Sequence, residues 1–391
     1  MKLSERVLNL AESATMAVSG RAAQLRREGK DIVSFGAGEP DFDTPDHIKQ
    51  AAIDALNGGA TKYATPSSGI IPLKEAVAAK LARENALDYA PSQVIVTVGG
   101  KEALYLAFAT LLDEGDEVII PAPYWVSYPE QAALCGGVPV HVLGDVDNSF
   151  KITPAQLESA ITPRTKAFVF NSPSNPGGFL YTPAEVDALA AVLEGKDIVV
   201  FSDEMYDRII FGDDSFKSYA TASAHAYDHT ITFNAGSKTY AMTGWRVGYA
   251  AGPADIIKGM AKIQTQTTSG TFTFGQHGLV AALNGDQACV EEMRQEFESR
   301  AEHIHARLNA LEGVTCPRPA GAFYVFPDVS GTFAKLGVSG SIEFAQRLLE
   351  DSHVAVVPGE AFGVDSGVRL SFATSMEMID KGLDSLEKFL A

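Results

Sequence analysis

The sequence predicts an α/β protein: a mostly parallel sheet covered by helices on both faces, with a smaller α+β domain beside it. Three observations carry this expectation. The chain has 391 residues, more than one ordinary core accommodates, so two domains are expected. From about residue 45 to 280, short apolar runs alternate with helical patterns. Those runs are continuously apolar, as strands buried on both faces are.

The elements follow in order. TPDHIKQAAIDALNGG reads as a helix with Thr44 as N-cap, Pro45 at its first position and Gly58 ending it. QVIVTV (93–98) is a strand broken by Gly99 and Gly100, followed by the helix KEALYLAFATLL. EVIIPA (117–122) and AFVFNS (167–172) are further buried strands, and TPAEVDALAAVL opens on a capping box from Thr182 to Glu185. DIVVFSDE (197–204), TITFNA (230–235) and RVGYAAG (246–252) complete the series. Beyond residue 285 a long charged helix leads into GAFYVFPDV, VAVVPG, VRLSFAT and a terminal helix. The expected division is a large domain over 46–285 and a smaller one built from 1–45 and 286–391, since a chain often crosses between domains more than once.

Composition excludes several functions. The formal charge is −18, from 31 basic and 49 acidic side chains, which disfavours nucleic acid and anionic membrane surfaces as partners. Cys135, Cys289 and Cys316 form neither a disulfide framework nor a CxxC pattern. Glu5, Arg6 and Glu12 interrupt the apolar stretch a signal peptide would need, so a cytoplasmic protein is expected. Gly99-Gly100 lacks the third glycine of a dinucleotide fingerprint. His225 and His229 lack the glutamate of a metalloprotease helix, and His303 and His305 would not share a helix face.

In an open parallel sheet, ligands bind beyond the carboxyl ends of the strands. Those ends carry Gly99-Gly100-Lys101, Tyr124-Trp125, Asn171 to Asn175, Asp203 to Tyr206, and Ser237-Lys238. A phosphate-type turn, an aromatic plate, an amide, a carboxylate, a phenol and an amine suit an aromatic, phosphorylated, electrophilic cofactor.

SDEMYDRIIFG, NAGSKTYAMTGWRVGY, NSPSNPGG, the GAGEPDFDTP opening and the late VRLSFAT together resemble class I aminotransferases of pyridoxal-5′-phosphate (PLP) fold type I, essentially end to end. The spacing is similar to the bacterial aspartate and aspartate/prephenate branch. The resemblance implies a seven-stranded, mostly parallel sheet in the large domain. It implies that Lys238 carries PLP as a Schiff base and then moves a proton, with Asp203 on the pyridine nitrogen. Tyr206 and Asn175 would hydrogen-bond the phenolic oxygen. Arg246, Gly100, Lys101 and Ser237 would take the phosphate, and Trp125 would stack on the ring. Arg369 would clamp the substrate α-carboxylate with Asn175 and the Gly38 backbone, while Lys101 would also serve a distal carboxylate. Tyr63 would reach the phosphate of a second subunit, which implies a homodimer.

The resemblance also implies that Ser13 and Thr15 belong to a segment closing over the substrate. Three departures stand out: Glu12 replaces a usual proline; Gly177 replaces a usual threonine, which would loosen that turn; and Ala235 replaces a serine common in some relatives, which would leave the phosphate more to Arg246 and Ser237. Amino transfer from aspartate or glutamate to 2-oxoglutarate, with prephenate as a further acceptor, is the leading expectation. Its alternatives are a C–S or β-lyase of the same fold, an aminotransferase for aromatic or other amino acids, a PLP-binding regulatory module, and a PLP-free α/β protein.

Overall fold

The apolar runs pair into one sheet of seven strands in a computed structural model that describes residues 2–8, 10 and 14–391. In chain order these are β1 (Val94–Thr97), β2 (Glu117–Ala122), β3 (Val138–Leu143), β4 (Thr165–Asn171), β5 (Val199–Asp203), β6 (Thr230–Ala235) and β7 (Gly248–Ala251). Across the sheet the order is β1-β7-β6-β5-β4-β2-β3. β7 runs antiparallel to both neighbours, and the remaining pairs are parallel. Central strands are buried at every position, as in Val199–Asp203 and Thr230–Ala235, which is why they read as largely apolar runs without alternation.

β3 was not expected. Its sequence VPVHVL alternates, and it lies at the sheet edge with Val138 and Leu143 exposed. An edge strand needs an apolar residue only where it faces the core, so it gives a weaker signal.

The helix Pro183–Leu193 starts on the expected capping box, with the Thr182 hydroxyl accepting from Glu185 N. The earlier helix differs from expectation. It spans Asp46–Asn57 with Pro45 at the N-cap. Thr44 is not its cap, because the Thr44 hydroxyl donates to Ala241 O at 2.6 Å and accepts from Trp245 Nε1 at 3.0 Å. That threonine ties the chain entry to the loop after Lys238 instead.

A separate apolar core forms around the C-terminal segments. Phe297, Phe323, Phe344 and Leu370 pack there with Val33 and Phe35, and residues 206–211 also enter it. Val33–Ser34 pairs in parallel with Val354–Ala355. Leu370 and Ser371 pair antiparallel with Val325 and Tyr324. The β5 end therefore leads straight from the large sheet into this second core, and the groove between them is where polar side chains collect.

Candidate active site

A cavity of about 410 Å³ lies beyond the carboxyl ends of the parallel strands. It brings together every residue expected at the site except Tyr63, which is 85% exposed elsewhere on the surface. Glu12, Ser13 and the Thr15 side chain lie outside the described residues.

Asp203 ends β5 and is buried. Its Oδ2 accepts from Tyr128 Oη at 2.6 Å and its Oδ1 from Met205 N at 3.2 Å. Burial pushes its carboxyl up to about 6, against the lowering effect of those two donors and of Lys238. The turn that follows is anchored from behind. Ser202 and Ser218 donate to Glu204 Oε1 at 2.8 and 2.6 Å. Asn85 Nδ2 donates to Glu204 and Asp207 at 3.1 and 3.2 Å, and Lys80 pairs with Asp207. Asp203 and Tyr206 are thus held facing the cavity by a polar network on the opposite side.

Lys238 follows β6 in a short helical turn, Gly236–Thr239. Its ammonium donates to Gly38 O. The side chain borders the open cavity, but the amine lies deep in protein, and desolvation lowers it to about 8. Arg369 and Arg246 act in the same direction, while Glu39 and Asp203 oppose them.

The helix Gly99–Leu111 points its N-terminus at the same space, and Val98 gives it no side-chain cap. Gly99 has φ +74°, and a Cβ there would fall 2.5 Å from Arg246 Nη2. Arg246 Nη1 donates to Thr243 O at 2.7 Å, which fixes the guanidinium over that turn. Unpaired N–H groups, a helix dipole and a guanidinium together make an anion site. Lys101 is exposed as a residue, yet desolvation and then Arg246 lower its ammonium, which sits 4.9 Å from the Trp125 ring centroid.

Arg369 is buried. Its Nη1 donates to Asn175 Oδ1 and its Nη2 to Gly36 O, both at 3.0 Å, and its Nε has no partner. The rings of Tyr324 and Phe362 lie 4.7 and 5.2 Å from it. Among the described residues no carboxylate pairs with this cation. Asn175 is itself positioned, since its N–H donates to Asn171 Oδ1 at 2.9 Å while Asn171 Nδ2 donates to Asp203 O at 3.0 Å. The Gly177 turn is not loose: the Phe179 ring fills the space a Cβ would need, with its Cδ1 2.5 Å away.

Sequence reasoning missed Tyr128, Tyr324 and Glu39, all of which line the cavity. Tyr324 is fully buried within an apolar run, and nothing local in that run distinguishes it from core.

A family model for aminotransferase class I and II matches residues 30–386. The chain belongs to this family. It is 49% identical over 390 residues to the aspartate aminotransferase of Geobacillus stearothermophilus, covering 100% of this chain and 99% of that one. It is 48% identical to a probable aspartate/prephenate aminotransferase of Rhizobium leguminosarum bv. phaseoli, covering 99% and 98%. The aspartate aminotransferase of Thermus thermophilus, solved with maleate, superposes with a TM-score of 0.94 at 44% identity and full coverage of both chains.

Aminotransferases of this family use PLP, and the residues present fit it. The cavity offers a desolvated amine for its aldehyde, a buried carboxylate for its pyridine nitrogen, a phenol and an amide for its phenolic oxygen, and an uncapped helix start with Arg246 for its phosphate. The lyase alternative is not favoured by these relatives, which are named as aminotransferases.

Proposed function

We propose that this aminotransferase moves the amino group of L-aspartate to 2-oxoglutarate in two half-reactions at the cavity described above. One observation carries the reading: a desolvated amine, Lys238, shares that cavity with a buried guanidinium, Arg369, that has no anionic partner among the described residues. A buried unpaired cation is expensive, and a substrate carboxylate would relieve the cost.

PLP, when bound, supplies a ring that withdraws electrons from the substrate α-carbon. Lys238 would be the residue that holds it. With its ammonium lowered to about 8, an appreciable share of the amine is neutral near pH 7.5, so Nζ can take the α-carbon proton and return it. Asp203, ionised above about 6, keeps a proton on the pyridine nitrogen. Tyr206 and Asn175 would donate to the phenolic oxygen. Arg246, Ser237 and the backbone at Gly100 and Lys101 would hold the phosphate, and Trp125 would cover the ring face.

Arg369, Asn175 and the Gly38 backbone orient the α-carboxylate. Lys101 beside Trp125 gives the distal carboxylate a cation, which favours aspartate and glutamate over neutral amino acids. The work divides between a PLP-binding domain over 46–285 and a smaller one from 1–45 and 286–391. The functional unit is a homodimer in which Tyr63 enters the neighbouring site; its 85% exposure and the exposed Ile53, Leu56 and Ile71 on the same stretch support this. Among the described residues no helix is long and apolar enough to cross a membrane, in keeping with a cytoplasmic enzyme.

The test is the visible spectrum of PLP-loaded protein. L-aspartate should bleach the visible band and 2-oxoglutarate should restore it, with prephenate tried as a second acceptor. A band indifferent to aspartate and glutamate refutes the dicarboxylate assignment. Pyruvate and ammonia released without an oxo acid would indicate a lyase.

A further inference from the structure

Tyr324 belongs to no role assigned so far, yet it touches both halves of the site. It lies opposite Ser371 on paired antiparallel strands, so Arg369, two residues earlier on the same face, is its diagonal neighbour. The Arg369 guanidinium lies 4.7 Å from its ring centroid. At the other end of the ring, its hydroxyl is 3.1 Å from the Tyr206 hydroxyl, and the two rings meet edge to face at 87°. A Cβ on Gly38 would lie 3.5 Å from the same hydroxyl, and one on Gly178 would lie 2.4 Å from Tyr324 O. The side chain is fully buried and closely surrounded.

We propose that Tyr324 is a positioning residue for both. Its hydroxyl donates to Tyr206 Oη and so turns the Tyr206 proton into the cavity, while its ring face carries the Arg369 guanidinium. This rests on the function proposed above.

The direction of the hydrogen bond follows from charge. A cation over the ring face draws electron density from Tyr324 and makes its hydroxyl the better donor. Burial raises both phenols, but Arg369 offsets the rise more at Tyr324, and Tyr206 stays well above the ordinary value. Tyr206 is the only hydrogen-bond partner of the Tyr324 hydroxyl among the described residues. With that bond filled from Tyr324, the one Tyr206 proton is left for a cofactor oxygen. The charged and titratable groups bearing on the pair are Arg369, Glu39, Asp203 and Tyr206 itself. An arginine held between two aromatic faces keeps its orientation without a carboxylate that would compete with substrate.

Two variants of the PLP-loaded protein separate the hydroxyl from the ring. Tyr324→Phe removes only the hydroxyl, and Tyr324→Leu removes both. The readouts are the pH midpoint of the visible cofactor band, the succinate dissociation constant from the same band, and the split of kcat against KM. Tyr324→Phe should raise the midpoint by roughly one pH unit, as expected for one weakened hydrogen bond to a charged oxygen. It should lower kcat about tenfold and leave succinate binding within about twofold. Tyr324→Leu should show the same midpoint and weaken succinate binding roughly tenfold. An unchanged midpoint in Tyr324→Phe, or equal succinate binding in the two variants, overturns the proposal. If the unsubstituted protein shows no PLP band or no response to succinate, the underlying function fails instead.

Discussion

Replacing Asp203 with asparagine should stabilise the cofactor-free protein while disabling the loaded one. The buried carboxyl is raised from an ordinary value of about 3.9 to about 6. A raised acid binds its proton more tightly when folded. Its contribution to stability is therefore fully present below the ordinary value and lost as pH rises through about 6. Integrated over that window, the ionised side chain costs about 3 kcal/mol at pH 8 and about half of that at pH 5. Asparagine avoids this ionisation. It can still accept from Met205 N, and the Tyr128 hydroxyl can rotate to accept from its amide.

Urea unfolding of both cofactor-free proteins at pH 8 and pH 5 measures the gap. The variant should lead by about 3 kcal/mol at the higher pH and by about half of that at the lower. With PLP bound, its transamination rate should fall by roughly a hundredfold or more, because the ring nitrogen loses its counter-charge. A variant less stable at pH 8, or a gap independent of pH, would refute the view that Asp203 is held ionised for its partner at the expense of the fold.

Three further substitutions probe other parts of the site. Arg369→Leu should lower kcat/KM for aspartate by roughly 30- to 1000-fold, about 2–4 kcal/mol, mainly through KM, in steady-state assays. Gly99→Ala places a Cβ 2.5 Å from Arg246 Nη2 at a φ of +74°; it should weaken PLP binding at least roughly tenfold in equilibrium titration, by displacing the guanidinium and straining the turn. Lys80→Met strips the cation from buried Asp207 and Asn85 and should destabilise the protein by about 3–5 kcal/mol in urea unfolding.

The fold was legible where burial was uniform. β2 and β6 have the bounds expected from sequence, because both faces of each are covered and nearly every position is buried. β3 escaped because one side of it meets solvent, and VPVHVL carries the weaker alternating signal. Thr44 was misread since its sequence context suits a cap, while its hydroxyl is claimed by Ala241 and Trp245, about 200 residues away.

The site was legible through polar residues gathered at the ends of apolar strands, a pattern that a ligand explains. Tyr324 escaped because it lies among apolar neighbours, and Tyr128 because it lies in the helix Ser127–Leu134 rather than at a strand end, so local sequence gives neither phenol a mark distinguishing it from one filling core. The network behind Asp203, from Lys80 through Asn85 to Asp207 and Glu204, joins segments more than a hundred residues apart. Spacing along the chain carries no trace of it.

The most direct test of the account is the identity of the lysine that bonds PLP. Borohydride reduction of the loaded protein, followed by digestion and mass spectrometry, fixes the cofactor where it stood. The phosphopyridoxyl mass is expected on the peptide containing Lys238 and on no other. Label on Lys101 or Lys80, or no label on a protein that retains its visible band, would contradict it.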